Sequence, residues 1–308
     1  MKLAAIDIGS NAVRCQISTV LHHNGKVFFK KVEYVRYALR LGEDVFTTGH
    51  ISDAKKVKFY KLLKALQLLM EVHDVEQCMV CATSAMREAK NARGFVTKVK
   101  EQLGLQIEII DGNEEAYLVN KVIVNELEDE QNYLHIDVGG GSTELNIYVN
   151  RQKVASKSFE VGSIRSIKGK DTAMVRSAMK GWVKEQAAIY NLYRAIGTGG
   201  NIGKLYEMAG KKEGLALSRT RIEEVVEQIE NTSMEDRINV MLLNPDRADV
   251  IIPASQIYLS VMKWAGVRSI LVPNVGLKDG MMLTLYERLH KNHAAENSPV
   301  IVSDSDTA

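Results

Sequence analysis

Four carboxylates beside turns of small residues mark where this chain could do chemistry. Asp7 is followed by Ile8-Gly9-Ser10-Asn11, and Asp137 by Val138-Gly139-Gly140-Gly141-Ser142. Each aspartate ends an apolar run, so both segments read as strand, turn, strand. Small residues in such a turn let backbone N–H groups approach an anion with no Cβ in the way. Each aspartate stands where it could hold a metal ion or a metal-bound water. Glu144 opens the strand after the second turn, where alternation puts it on one face with Asn146, and Leu145 and Ile147 on the other. Glu115 begins a helix directly after a strand. A carboxylate there either complements the helix dipole or projects into a cleft. Small-residue turns with carboxylates beside them suit the binding of phosphate groups and of a metal ion.

The two turns are 137 − 7 = 130 residues apart, a domain-sized period that points to a duplicated fold. The pattern predicts strands at 3–8, 12–20 and 27–37, with Asn24-Gly25 as the hairpin turn. A helix follows from the N-cap Ser52 to Val72. Next come a buried strand at 77–82, a helix at 91–103 stopped by Gly104, a strand at 105–110 and a helix at 114–127. The second half repeats the order: strands at 133–138, 143–149 and 152–159, a helix at 171–190 and a strand at 194–196. Gly197-Thr198-Gly199-Gly200-Asn201 leads into a further helix. Helices at 218–230 and 246–265 flank a strand at 270–272, and a last helix covers 277–291. This predicts two mixed α/β domains, 1–125 and 126–291, with a cleft between them. The last helix could pack back on the first domain, and a polar tail, 292–308, is expected to be disordered.

Composition supports an ordinary soluble protein. In 308 residues, 45% are hydrophobic and 25% charged. No apolar run is long enough to span a membrane. Met1-Lys2 leads straight into a strand, which leaves no room for a signal peptide. Cys15, Cys78 and Cys81 on strand-like segments fit a reducing, cytoplasmic setting. Cys78 and Cys81 fall on opposite faces of a strand, so they cannot readily share a metal. The net charge of +2 does not advertise a polyanion partner, and no DNA binding is expected. Between 151 and 184, however, nine basic residues (Arg151, Lys153, Lys157, Arg165, Lys168, Lys170, Arg176, Lys180, Lys184) face two acids, Glu160 and Asp171. That excess either steers phosphates or forms a solvated face.

Five segments in register carry a family resemblance. They are Asp7-Ile8-Gly9-Ser10-Asn11, Ala82-Thr83-Ser84-Ala85-Met86-Arg87, Gly112-Asn113-Glu114-Glu115-Ala116, Asp137-Val138-Gly139-Gly140-Gly141-Ser142-Thr143-Glu144 and Gly197-Thr198-Gly199-Gly200-Asn201. Arg247-Ala248-Asp249-Val250-Ile251 and Gly276-Leu277-Lys278-Asp279-Gly280 extend the match, and Arg40-Leu41-Gly42-Glu43 resembles another segment. Together they resemble the exopolyphosphatase/guanosine pentaphosphate phosphohydrolase (Ppx/GppA) family of the actin-like ATPase (ASKHA) superfamily, in its short two-domain form. Pro253-Ala254 departs from the usual Pro-Gly.

The resemblance implies an α/β protein of two duplicated actin-like (ribonuclease H-like) domains with an interdomain active-site cleft. It implies Glu115 as catalytic base, Asp137, Glu144 and more weakly Asp7 as metal ligands, and Mg²⁺ or Mn²⁺ as cofactor. Ser10, Asn11, Arg87, Gly139, Gly140, Gly141, Ser142, Gly197 and Gly199 would bind phosphate or substrate. The implied activity is metal-dependent release of terminal phosphate from inorganic polyphosphate. Hydrolysis of pppGpp to ppGpp is the alternative. Two readings from other classes are an actin-like nucleotide switch or filament protein and a sugar-kinase-like transferase. The family pattern also allows a homodimer.

Overall fold

The computed structural model describes residues 1–24, 26–212 and 214–290. Two compact units divide the chain. One is Met1–Asn125 together with the segment from Val275 onward; the other is Glu126–Asn274. The last helix, counted with the second domain in the sequence reading, thus belongs to the first unit. No helix among the described residues is long and apolar enough to cross a membrane.

The first unit runs β1 (Lys2–Ile8), β2 (Val13–His23), β3 (Lys26–Tyr37), α1 (Leu41–Thr48), α2 (Asp53–Val72), β4 (Gln77–Ala82), α3 (Ser84–Glu88), α4 (Ala92–Leu103), β5 (Ile107–Ile109) and α5 (Gly112–Ile123). The second runs β6 (Asn132–Val138), β7 (Thr143–Val149), β8 (Gln152–Phe159), α6 (Ser163–Ile167), α7 (Ala173–Tyr190), β9 (Arg194–Thr198), α8 (Gly200–Met208), β10 (Leu217–Ser218), α9 (Arg219–Glu230), α10 (Met234–Asn239), α11 (Pro245–Ala248), α12 (Ile251–Ala265) and β11 (Ser269–Leu271). Helix α13 (Leu277–Leu289) then completes the first unit.

Sheet topology establishes the duplication. The first sheet has the order β3-β2-β1-β4-β5, and the second β8-β7-β6-β9-β11 with β10 added at the edge. In both, an antiparallel trio is extended by parallel strands. This is the duplicated mixed α/β arrangement expected from the pattern. The Asn24-Gly25 turn is described only at Asn24, which is left-handed (φ 49); Gly25 and the 292–308 tail lie outside the described residues. Sequence cues fix several helix ends. Ser52, Thr172 and Ser218 accept hydrogen bonds from the N–H groups of Lys55, Val175 and Arg221. Gly104 closes α4 at φ 67. The single helix expected at 246–265 is instead two, α11 and α12. Short helices α1, α3, α6 and α10 were not foreseen.

Apolar residues build each core. In the first unit Phe59 of α2 stacks on Phe95 of α4 at 4.6 Å. In the second, Leu134, Ile136, Leu145 and Ile147 from the sheet pack with Met179, Val183, Ile222, Ile257 and Val261 from the helices. Opposite that apolar set, β6 and β7 carry polar residues in cross-strand rows: Tyr133–Tyr148, His135–Asn146 and Asp137–Glu144. The middle row forms a buried chain. Ser156 donates to Asn146 Oδ1 (2.7 Å), and the Asn146 amide donates to His135 Nδ1 (2.9 Å). Nδ1 is therefore the acceptor, and Nε2–H donates to Thr198 Oγ1 (2.8 Å). Burial, then the nearby Lys153 charge, pushes the His135 pKa from 6.5 down to about 3.

The unfolded chain therefore binds a proton at His135 between about pH 6.5 and 3 that the fold excludes. Stability from this group is complete above 6.5 and lost as pH falls, by about 1.4 kcal/mol per unit. Denaturant unfolding from pH 7 to 4 should show the wild type losing more stability than His135→Gln. Parallel curves would show that His135 does not carry this dependence.

Candidate functional site

The two turns share one backbone design. Gly9 N–H donates to Ala12 O (3.1 Å) and Gly139 N–H to Ser142 O (2.9 Å). The turn carbonyls then receive helix N-termini. Gly42 N–H donates to Ser10 O and Arg40 N–H to Asn11 O at the start of α1. Ser163 N–H donates to Gly139 O, and the N–H groups of Ile164 and Arg165 donate to Gly140 O at the start of α6. Arg40 takes a left-handed conformation (φ 52) to make this approach.

In the first unit, Asp7 and Arg14 face each other across β1 and β2, and Arg14 Nη1 donates to Asp7 Oδ2 at 2.7 Å. The carboxylate expected as the weaker metal ligand is thus neutralised by a guanidinium. Ser10 is buried; its hydroxyl pairs with Ser84 Oγ (2.8 Å) and accepts from Ala85 N–H (3.2 Å). It ties the turn to α3, while Asn11 is half-buried. From α3, the exposed Arg87 donates to Ile110 O at 2.8 Å. That carbonyl immediately precedes Asp111, which caps α5 by accepting from Asn113 and Glu114 N–H. Glu114 returns the bond to Asp111 N–H (2.9 Å), completing a capping box. The Glu-Glu pair is thereby divided: Glu114 serves the cap, and half-buried Glu115 sits one position further on in the first turn.

In the second unit the position matching Arg14 is Glu144. Asp137 and Glu144 are register partners, so two carboxylates share one face beside the turn. Glu144 is 4% exposed and accepts from Ser158 Oγ at 2.9 Å. Gly139 and Gly140 are half-buried, while Gly141 and Ser142 are buried. The motif glycines at and after the end of β9 have different physical reasons. A Cβ on Gly197 would meet Ile270 Cδ1 at 2.7 Å, so this glycine makes room for the core. Gly199 has φ +105, and a Cβ there would meet Asp137 Oδ1 at 3.1 Å. It is Gly199 that brings the turn beside the aspartate. Buried Tyr258 fastens both strand ends: its hydroxyl accepts from Val138 N–H (3.2 Å) and donates to Thr198 O. Burial, then the charge of Asp137, holds that phenol well above its ordinary pKa.

Sequence reading missed two residues of this site. Gly162 precedes α6, and a Cβ on it would lie 2.6 Å from Gly140 and Gly141 backbone atoms. Arg165, counted only in the basic cluster, is 5% exposed and donates from Nε to Gly141 O at 2.7 Å. Of the remaining cluster, Arg151 pairs with Asp129, Arg176 with Asp171, and Lys157 lies over Phe159. Lys168, Lys170, Lys180 and Lys184 are exposed. Cys78 and Cys81 do point to opposite faces of β4, as their register places Cys78 beside Ala4 and Cys81 beside Asp7. Burial pushes the Cys81 thiol up to about 12.

The facing pair Asp137–Glu144 offers hard oxygen donors and brings two like charges together, a set that suits a divalent cation. Among the described residues no three His, Cys, Asp or Glu side chains gather around one point. A cation here would therefore complete its shell with water and phosphate oxygens, as Mg²⁺ commonly does.

Comparison with known proteins finds relatives of the chain as a whole. Exopolyphosphatase 2 of Mycobacterium tuberculosis is 26% identical over 92% of this chain and 98% of its own length. A guanosine-5'-triphosphate,3'-diphosphate pyrophosphatase of Aliivibrio fischeri is 24% identical over 96% of this chain. A bifunctional 3-dehydroquinate synthase/phosphatase of Fusobacterium nucleatum is 27% identical over 87%. The chain spans 61% of the Aliivibrio protein and 44% of the Fusobacterium one. Among solved structures, an exopolyphosphatase from Cytophaga hutchinsonii has a TM-score of 0.81 at 22% identity, covering 94% of this chain and 98% of that one. An Aquifex aeolicus Ppx/GppA family member has 0.73 at 24%, covering 96% and 99%; these two likenesses show the fold. Residues 19–289 match the Ppx/GppA phosphatase family, and the chain belongs to it.

Proposed function

We propose that this chain is a metal-dependent phosphoanhydride hydrolase that releases terminal phosphate from inorganic polyphosphate. The observation that carries the reading is the carboxylate pair Asp137–Glu144 beside a glycine turn, where the duplicated position holds the neutralised pair Asp7–Arg14. Similarity to an exopolyphosphatase over nearly the whole of both chains supports the substrate class. Asp137 and Glu144 would hold Mg²⁺ or Mn²⁺, which when bound neutralises charge on the phosphates. Gly139 holds the turn through its N–H to Ser142 O, while Gly140 and Gly141, with carbonyls engaged by α6 and Arg165, would offer N–H groups to a phosphate oxygen. Ser10 and Asn11 form the equivalent turn. Arg87 would contribute through the α5 cap as well as by direct contact. Glu115, one position beyond the capping Glu114, would take the proton from the attacking water as it adds to the terminal phosphorus. The bridging oxygen leaves with the shortened chain. A cytoplasmic location accords with three free thiols among the described residues. Phosphate release measured on polyphosphate and pppGpp side by side, with ATP as control, tests the reading. Preference for pppGpp would replace it with the nucleotide alternative.

Glu115→Gln should keep its fold and substrate affinity while kcat drops by about 100-fold or more, the scale of a lost general base. Near-normal turnover in the purified variant would remove Glu115 from the mechanism. Activity should vanish in excess EDTA and return with Mg²⁺ or Mn²⁺. Asp137→Asn should raise the metal concentration needed for half activity, and full activity in chelator would refute the metal role. If exposed Lys168 and Lys170 attract a long polyanion, reversing both to Glu should raise KM for long polyphosphate and spare tripolyphosphate. The difference should shrink with added salt. Equal KM changes for both lengths would make them a solvated face.

A further inference from the structure

Helix α5 carries Glu115 and is gripped by α13, an element that enters the first unit only after the whole second unit. One turn beyond Glu115, Leu118 meets Gly280 of α13. A Cβ on Gly280 would lie 2.0 Å from Leu118 O and 2.5 Å from Leu118 C, a backbone that cannot rotate away. The two helices thus touch main chain to main chain, a distance only glycine permits. One turn further, Lys121 of α5 pairs with Glu287 of α13. The start of α13 is itself fixed. Asp279 accepts from Gly276 N–H (2.8 Å), pairs with Lys278, and receives Gln16 Nε2 from β2 at 3.4 Å. Near its other end, Arg288 pairs with Glu108 of β5 at 3.7 Å.

We propose that Gly280 is a positioning residue for Glu115: its missing side chain sets the depth at which α5 seats, and hence where the Glu115 carboxylate stands. The inference rests on the reading of Glu115 as base. Shifting the α5 backbone would displace that carboxylate while leaving the glycine turns and the Asp137–Glu144 pair, which lie on other elements, as they are. The loss should fall on kcat and not on KM.

A double-mutant cycle in the full-length protein tests it, using tripolyphosphate with Mg²⁺. Gly280→Ala in the wild-type background should lower kcat on the order of 10- to 100-fold with KM unchanged, the scale of a misplaced reacting group. In the Glu115→Gln background the same substitution should change kcat less than about twofold, because no base remains to misplace. An equal loss in both backgrounds would mean that Gly280 only stabilises the fold, and would overturn the inference while leaving Glu115 as base. Near-normal turnover of Glu115→Gln alone would overturn both. If Gly280→Ala does not fold, Glu287→Gln, which removes the Lys121 pair without a clash, takes its place in the cycle. It should then show a smaller kcat loss that again disappears with Glu115→Gln, and a loss of equal size in both backgrounds would overturn the proposal.

Discussion

Each unit is organised by carbonyl oxygens that have been given to a helix. Ser10 and Asn11 accept from the start of α1, and Gly139 and Gly140 from the start of α6. A buried carbonyl left without a partner would cost about 1–3 kcal/mol, and the first N–H groups of a helix need acceptors outside it. One set of bonds settles both demands. With those acceptors committed, the turn N–H groups other than those of Gly9 and Gly139 suit the anionic ligand proposed for the turns. Gly162 and Arg165 exist for this arrangement, one by vanishing from the contact and the other by holding Gly141 O.

Duplication then supplied two copies of this turn, and one cross-strand position separated their chemistry. Asp7 faces Arg14, a closed ion pair. Asp137 faces Glu144, two carboxylates in register, which is the donor set proposed above for a cation. Both turns close with the same bond, Gly9 N–H to Ala12 O and Gly139 N–H to Ser142 O, while the residue facing the aspartate differs in charge.

The strands and long helices were legible because their periodicity is local. Ser52 and Gly104 announce their helix ends, and the alternation of Cys78 and Cys81 put the thiols on opposite faces. Helices α3 and α6 have five residues each, too few to show a period. They form where turn residues distant in sequence offer acceptors. The same limit hid Gly162, whose neighbours are Gly140 and Gly141. In the motif at 197–201 the glycines look alike in sequence, yet Gly197 makes room for Ile270 and Gly199 answers a left-handed backbone beside Asp137. Buried His135 was missed because a histidine in an apolar run gives no sign of partners on neighbouring strands.

The return of α13 to the first unit bears on how the protein is made. The residues up to Asn125 emerge from synthesis with α5 present but its backbone partner still untranslated, and 149 residues of another unit intervene before Val275. Closing so long a loop is slow relative to local folding, although its entropic cost grows only logarithmically with length. The nascent first unit would expose the α5 face that later meets Gly280, a surface for chaperones or for misassembly. Docking of α13 is therefore the step that gives α5 its backbone partner, and it can follow only after the whole second unit has been made.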